Sequence, residues 1–250
     1  MNSTSPGITW GILGGLGPIA SAHFLRTIYS QGPLCPEQER PVVIMLSDPT
    51  FPDRTQRILS GTEAELLPPL QRNLQRLVTA GASALAICCV TMHHWLPRVR
   101  PGLRSRVVSL LDLVFEGLKS ATGPHLMLCS SGSRATALYE RHPSWTQARH
   151  SVAMPDSADQ EQIHTLICHL KNGAVPPHAA ALVSAMIRKY RATGIIAGCT
   201  EIHLLTTSPS FVSALPGGTS IIDPLATLAS YICTRNHAAG TPRAQAKGAF

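Results

Sequence analysis

The stretch Ile8-Thr-Trp-Gly-Ile-Leu-Gly-Gly-Leu-Gly-Pro-Ile-Ala20 decides the fold class, because a short apolar run leads straight into a glycine turn and a proline. We predict a buried strand over residues 8–13, a tight turn at the glycines, and a helix with Pro18 in its first turn. This order of strand, glycine turn and helix is typical of the parallel sheets of α/β proteins.

The same alternation of apolar runs and helical patterns continues along the chain. Further strands are predicted at 42–46, 84–89, 107–111, 125–129, 151–154, 194–198 and 220–224. Helices are predicted at 19–29, 63–80, 91–96, 113–119, 134–141, 160–171, 178–191, 200–205 and 225–234, and a polar turn is predicted at 130–133. Strands that alternate with helices predict mainly parallel sheets, and ligands bind such sheets at the carboxyl ends of the strands.

The composition is that of a folded protein with a positive charge. Of the 250 residues, 44 % are hydrophobic and only 14 % are charged, which excludes a disordered chain. The formal net charge is +7, and its densest group, Arg98, Arg100, Arg104 and Arg106, lacks interleaved aromatic residues. We interpret that group as solvated surface, with an acidic partner as the alternative, and we expect no nucleic-acid partner. The charge also suits a small anionic substrate.

The cysteines predict a reducing compartment. The chain has seven of them, an odd number without the spacing of a disulfide framework. Residues 1–7 are polar and residues 8–13 form too short an apolar run for a signal peptide. No apolar run approaches the roughly 18 residues that would span a membrane. We therefore expect reduced thiols, a cytoplasmic location and no membrane partner.

Two cysteines stand out because each one closes a predicted apolar strand and comes shortly before a threonine. They are Cys89, followed by Thr91, and Cys199, followed by Thr200. A threonine can cap a helix, and a thiol at a helix N-terminus has a lowered pKa, so each thiol is predicted to work as a general base. Two such thiols that face each other can remove and return a proton on opposite faces of one carbon. The remaining cysteines are interpreted as packing residues: Cys35, Cys88, Cys129, Cys168 and Cys233.

Five segments, taken in order, resemble the aspartate/glutamate racemase family, and specifically its aspartate racemase branch. They are residues 11–18, 48–55, 89–93, 197–201 and 222–224. The resemblance runs from about residue 8 to about residue 232 of this sequence. It implies two pseudo-symmetric, Rossmann-like α/β lobes with mainly parallel sheets and the active site in the cleft between them. The expected division is 1–106 for the first lobe, completed by 207–250, and 107–206 for the second.

The resemblance also implies an activity and a set of site residues. The activity is amino-acid racemisation without pyridoxal phosphate, another cofactor or a metal, in a homodimer. The catalytic pair matches Cys89 and Cys199. The implied substrate-binding residues are Gly15 and Leu16 in the glycine turn, Arg54 and Lys171 for a side-chain carboxylate, and Thr91, Ser131 and Thr200 for the α-carboxylate and amine. His93 and Glu201 are candidates for tuning the thiols.

One departure from the family keeps other functions open. The family usually has Asn after the first cysteine, whereas this chain has Val90, which cannot hydrogen-bond a substrate. Cys88 also stands where the family often has Pro. A relative that decarboxylates or isomerises a dicarboxylic acid, and a ligand-binding homologue with weakened activity, therefore remain alternatives.

Four further patterns have alternative interpretations. Residues 15–20 fit a dinucleotide-binding G-x-G-x-x-A pattern, but Pro18 lies inside it and no acidic residue closes a strand about 20 positions later. Cys88, Cys89, His93 and His94 could begin a metal site but lack a second spaced pair. Four carboxylates are expected to orient site groups or cap helices: Asp48, Asp53, Glu201 and Asp223. Five histidines are interpreted as ordinary surface or helix residues: His23, His142, His164, His169 and His203.

Overall fold

The computed structural model describes residues 7–31 and 36–240 of the chain. Within these ranges the strands are β1 Thr9–Gly14, β2 Val42–Ser47, β3 Ala84–Ile87, β4 His125–Met127, β5 Val152–Ala153, β6 Gly194–Ile196 and β7 Ser220–Ile222. The helices are α1 Pro18–Gln31, α2 Arg54–Leu59, α3 Leu67–Thr79, α4 Pro101–Arg104, α5 Leu110–Leu118, α6 Ser131–Ala135, α7 Trp145–Ala148, α8 Ser157–Lys171, α9 Ala179–Lys189, α10 His203–Thr206, α11 Pro209–Ser213 and α12 Pro224–Gly240. Short 3-10 helices lie at Glu37–Glu39, Glu63–Leu66, Thr91–Arg98, Arg149–Ser151 and Thr200–Ile202.

The strands form two parallel sheets with the same internal order. The first sheet runs β2-β1-β3 and the second runs β5-β4-β6-β7. A single parallel bridge between Leu85 and Val107 adds a fourth position to the first sheet, next to β3. Val107 thus corresponds to β7, and β3 corresponds to β6. The predicted fold class, α/β with two similar lobes and parallel sheets, is confirmed.

The described part of the segment 207–250, which ends at residue 240, is shared between the two halves. Its strand β7 pairs with β6 and extends the second sheet. Its helix α12 packs against α1 and against α5. The lobe boundary at 106/107 stays a prediction. Among the helices of the described ranges, none has the length and hydropathy to cross a bilayer.

The predicted strand at 107–111 is wrong beyond its first residue. Val107 makes the single bridge to Leu85, and helix α5 already begins at Leu110. The reason is a helix cap, because the Ser109 hydroxyl accepts a hydrogen bond from the Asp112 amide at 3.2 Å. The apolar residues that suggested a strand instead form the buried face of α5.

The predicted helix at 134–141 is also misplaced. Helix α6 begins at Ser131, because the Ser130 hydroxyl accepts the Ser133 amide at 3.2 Å and caps the first turn. The helix ends after Ala135, and Ala137 takes a positive φ of 49° that an α-helix cannot continue through. The polar turn predicted at 130–133 is therefore a helix N-terminus.

A core shared by both halves joins the two sheets. Its members are fully or nearly fully buried. Most come from β1, β4, β6, α1, α5 and α12, and one comes from the turn after α6; they include Trp10, Phe24, Leu110, Val114, Met127, Tyr139, Ile196, Leu225, Leu228 and Ile232. Burial of apolar side chains contributes about 25 cal/mol per Å², so this shared core holds the two sheets in one arrangement. The loops after β3 and β6, which carry Cys89 and Cys199, are anchored by that arrangement.

Candidate active site

Both predicted catalytic cysteines lie at the carboxyl ends of the equivalent strands. Cys89 follows β3 and Cys199 follows β6, and each is only 6 % exposed. The Cys88 amide still donates to the Leu13 carbonyl at 2.8 Å, which fixes the chain immediately before Cys89. The carboxyl ends of parallel strands are the usual position of ligand sites in such sheets.

The glycine turn after β1 packs closely against neighbouring backbone. Gly15 has a φ of +86°, and a Cβ atom there would overlap the backbone of Asp48. Its amide donates to the Ser21 hydroxyl at 3.1 Å. The Leu16 carbonyl accepts a hydrogen bond from Nη2 of Arg54. The turn therefore places Leu16 and Arg54 side by side.

Arg54 is the buried cation of the site. It is 8 % exposed, and its Nη1 donates to the Pro52 carbonyl at 3.2 Å. Burial lowers the pKa of the guanidinium, but the charges of Cys89, Asp53 and Glu201 outweigh burial and raise it. Its Nε has no hydrogen-bond partner among the described residues. A buried donor without a partner, on an ionised side chain, suits an anionic group of a ligand.

Cys199 is paired with a carboxylate. Its thiol donates to Oε2 of Glu201 at 2.8 Å, and the Thr200 hydroxyl lies 3.3 Å from the same oxygen. Oε1 of Glu201 has no partner among the described residues, and a Cβ atom on Gly17 would overlap it. Burial and the negative charge of Glu201 raise the pKa of the Cys199 thiol well above its usual value, and Lys171 acts in the opposite direction.

The prediction that a helix N-terminus lowers the pKa of these thiols is wrong for Cys199, whose pKa is raised. The helices that follow the two cysteines are 3-10 helices capped by Val90 and Cys199, and neither cap has a side-chain hydrogen bond. Thr91 and Thr200 therefore do not cap helices. Burial and the neighbouring carboxylate outweigh any contribution of a short helix to the Cys199 thiol.

Lys171 brings a second cation to the site from the other half of the chain. Its Nζ lies 3.4 Å from Oδ2 of Asp53, which caps α2 by accepting the Gln56 amide. Burial lowers the pKa of Lys171, but the charges of Cys199, Glu201 and Asp53 outweigh burial and raise it. Lys171 thus remains a cation that faces the same acidic groups as Arg54.

Three buried hydroxyls form a triangle next to the first cysteine loop. Thr91 Oγ1 lies 3.1 Å from Ser130 Oγ and 3.0 Å from Ser133 Oγ, and the two serines are 3.2 Å apart. The Ser131 amide points to Nδ1 of His164 at 3.5 Å. Ser130 and Ser133 are absent from the sequence-predicted site, although the run of serines at 130–133 indicated a polar turn.

His93 contacts the backbone of the first cysteine and not its thiol. Its Nε2 accepts a hydrogen bond from the Leu110 amide at 3.0 Å, so the proton of the neutral ring is on Nδ1. Nδ1 donates to the Cys89 carbonyl at 3.1 Å. Burial lowers the pKa of His93 to about 4, which keeps the ring neutral at physiological pH.

The remaining predicted residues have mostly structural positions. Val90 is 1 % exposed and belongs to the shared core. Asp223 accepts the Leu225 and Ala226 amides and so caps α12. His203, interpreted as an ordinary surface or helix residue, is the first residue of helix α10, and its side chain is fully buried rather than at the surface.

The other cysteines and the proposed metal pattern add no further group to this site. Cys88, Cys129 and Cys233 are buried, Cys168 is half-buried beside His164, and Cys35 lies outside the described residues. Within residues 7–31 and 36–240, no cluster of three or more His, Cys, Asp or Glu side chains is arranged to hold a metal ion.

Comparisons with known proteins point to one family. The family model described as Asp/Glu/Hydantoin racemase matches residues 13–232. Among solved structures, Picrophilus torridus aspartate racemase is 20 % identical with a TM-score of 0.78, covering 92 % of this chain and 95 % of that one. Glutamate racemase from Campylobacter jejuni subsp. jejuni is 16 % identical with a TM-score of 0.61, covering 91 % and 86 %. Glutamate racemase from Francisella tularensis, solved with D-glutamate, is 13 % identical with a TM-score of 0.62, covering 89 % and 78 %.

Proposed function

The chain belongs to the Asp/Glu/hydantoin racemase family and is an isomerase of the racemase class, and from this premise we propose that it inverts the Cα of aspartate, glutamate or a related amino acid with two thiols. The observation that carries the proposal is the unequal pairing of Cys89 and Cys199. Cys89 lies beside the Arg54 guanidinium, whereas the Cys199 thiol donates to Glu201. The carboxylate retains the proton of the Cys199 thiol, which suits that thiol to act as the acid.

The proposed reaction is a two-base proton transfer. The Cys89 thiolate removes the Cα proton, and the electron pair of the C–H bond passes to Cα and into the α-carboxylate. The Cys199 thiol gives its proton to Cα on the opposite face, so that Cys89 ends as the thiol and Cys199 as the thiolate. The opposite enantiomer follows the same path in reverse, with the roles of the two sulfurs exchanged.

The charges of the site support a dicarboxylic substrate. The free Nε of Arg54 and the ammonium of Lys171 can hold a side-chain carboxylate, and the hydroxyls of Thr91, Ser131 and Thr200 can hold the head group. Gly15 and Leu16 form the wall beside Arg54. One structural neighbour was solved with D-glutamate, which is in keeping with this class of substrate. A cytoplasmic homodimer that needs no cofactor is part of the same proposal.

The function is tested by α-proton exchange in D₂O, followed by proton NMR and chiral chromatography. The panel holds both enantiomers of Asp and Glu and several neutral amino acids. We expect exchange with loss of optical purity for a dicarboxylic member. Exchange confined to neutral amino acids would overturn the substrate class. Tight binding without exchange would favour the ligand-binding alternative, and release of CO₂ from a malonate-type acid would favour the decarboxylase.

Glu201→Gln is expected to lower the pKa of the Cys199 thiol, so that its thiolate forms at a lower pH. The substitution removes the negative charge that disfavours the thiolate, whereas burial still disfavours it. The measurement is the pH titration of thiolate ultraviolet absorbance in a Cys89→Ser background, and the same titration of the Cys89→Ser/Cys199→Ser double variant is subtracted so that the difference reports Cys199. Asp53→Asn is the matched control, because it removes a carboxylate that contacts Lys171 rather than Cys199. An unchanged titration in Glu201→Gln would show that Glu201 does not set the charge of this thiol.

A further inference from the structure

The segments 89–93 and 199–203, called the first and second cysteine loops, each end with a histidine. His93 follows Cys89 by four positions, and His203 follows Cys199 by four positions. Both rings are buried, with exposed fractions of 2 % for His93 and 0 % for His203. Neither histidine is assigned a contact with a thiol or a substrate, so their shared spacing and burial need another explanation.

His93 joins the first cysteine loop to the start of α5. Its Nδ1 donates to the Cys89 carbonyl at 3.1 Å, and its Nε2 accepts the Leu110 amide at 3.0 Å. Leu110 is the first residue of α5, and its amide has no partner inside the helix. One neutral ring therefore connects the backbone of the cysteine with the N-terminus of the helix.

His203 joins the second cysteine loop to the start of α12. Its Nδ1 donates to Oδ2 of Asp223 at 2.7 Å, and its Nε2 lies 2.9 Å from the Thr27 hydroxyl of α1. The other oxygen of Asp223 accepts the Leu225 and Ala226 amides at 2.9 and 3.1 Å, in the first turn of α12. Here a carboxylate lies between the ring and the helix, whereas His93 contacts its helix directly.

The two helices occupy equivalent positions and pack against each other. Helix α5 follows the bridge at Val107, which lies next to β3, and α12 follows β7, which lies next to β6. Contacts between α5 and α12 contribute to the core that both halves share. A continuous series of packed and hydrogen-bonded groups therefore runs from the Cys89 loop through both helices to the Cys199 loop.

We propose that His93 and His203 are a matched pair of positioning residues, each fastening its own cysteine loop to one helix of the α5–α12 pair, so that this pair sets the placement of the two thiols around Cα. The inference rests on the proposed two-thiol reaction and extends it to the groups that hold the thiols. Displacement of a catalytic group by about 1 Å can cost about 100-fold in rate, so the fastening has a kinetic consequence.

The test replaces each ring by an apolar ring of similar shape, in His93→Phe and His203→Phe. For each variant, kcat/KM and its primary deuterium isotope effect are measured with α-deuterated substrate of both enantiomers. The two enantiomers lose the deuteron to different thiols, so a loosened thiol makes its own C–D cleavage more rate-limiting. We expect kcat/KM to fall by about 10- to 100-fold. The isotope effect should rise for one enantiomer in His93→Phe and for the other enantiomer in His203→Phe.

The controls separate positioning from general damage. His142→Phe alters a ring that stacks on Phe115 of α5 and bonds Asp112, but it contacts neither cysteine loop, so both isotope effects should stay unchanged. His203→Asn keeps a donor for Asp223 and should restore much of the activity lost in His203→Phe. If His93→Phe does not fold, His93→Asn replaces it, and if His203→Phe does not fold, His203→Gln replaces it. An isotope effect that increases for the same enantiomer in both Phe variants would overturn the inference. A loss of rate with unchanged isotope effects would also overturn it.

A second readout keeps the inference testable if the proposed function fails. Alkylation of Cys89 and Cys199 is followed separately by mass spectrometry in the wild type and both variants. We expect His93→Phe to change the alkylation rate of Cys89 more than that of Cys199, and His203→Phe to do the reverse. Equal changes at both thiols would overturn the inference even in a protein that exchanges no α-proton, whereas that lack of exchange alone would overturn only the proposed function.

Discussion

Cys89→Ser and Cys199→Ser are each expected to lower kcat/KM for racemisation by about 10³-fold or more. A positioned general acid or base contributes roughly 10²- to 10⁴-fold, and in the proposed reaction each sulfur serves as base for one enantiomer and as acid for the other. Serine keeps the shape of the side chain, but its hydroxyl is far harder to ionise than a thiol. Both directions of the reaction should therefore be lost in each variant.

Chiral chromatography and α-proton exchange in D₂O measure this loss directly. The matched control is Cys168→Ser, because Cys168 is a half-buried thiol beside His164 and takes no part in the proposed reaction. The control should keep the wild-type rate. Exchange that persists at the wild-type rate in both Cys89→Ser and Cys199→Ser would show that the two sulfurs are not the bases.

The apolar pattern was sufficient to predict most of the parallel strands and the positions of the two cysteines at their carboxyl ends. It failed where hydroxyl caps decide the local structure. Ser109 starts α5 inside a run that has the pattern of a strand, and Ser130 starts α6 inside a predicted turn. A cap depends on one side-chain bond to one amide, and apolar periodicity contains no information about such a bond.

The charge of the second thiol could not be predicted from its neighbours along the chain. A strand followed by a helix suggested a lowered pKa, but Cys199 is buried and its thiol bonds Glu201, whose side chain turns back toward it. The opposing cation, Lys171, comes from the end of α8. Such an environment depends on which groups the tertiary fold brings together, and that is not visible in local spacing.

The spacing of the two buried histidines was visible in the sequence, but its meaning was not. A histidine four positions after each cysteine is a weak pattern until β3 and β6 prove to be equivalent strands. The same holds for Val90, which stands where the family usually has Asn. Only the structure shows that its side chain is part of the shared core. Packing between the two halves supplies the information that is missing in each case.

Arg54→Lys is expected to lower kcat/KM for a dicarboxylic amino acid by about 100-fold, with a much smaller effect on a neutral amino acid. Lysine keeps the positive charge but loses the planar fork, including the Nε that has no partner among the described residues. Loss of charge-assisted hydrogen bonds worth about 3 kcal/mol in total corresponds to this factor. The measurement is kcat/KM for Asp or Glu and for the best neutral substrate of the panel.

The control for this prediction lies on the same helix. Arg57 pairs with Glu65 at 2.8 Å on the exposed side of α2, so Arg57→Lys should leave kcat/KM for both substrates unchanged. Because Arg54 also donates to the Leu16 carbonyl, the free energy of unfolding of Arg54→Lys is measured in urea alongside the kinetics. A general distortion of the glycine turn would lower kcat/KM for both substrates equally. Only a selective loss of the dicarboxylic substrate agrees with Arg54 as the group that holds its second carboxylate, and an equal loss would assign Arg54 to the turn instead.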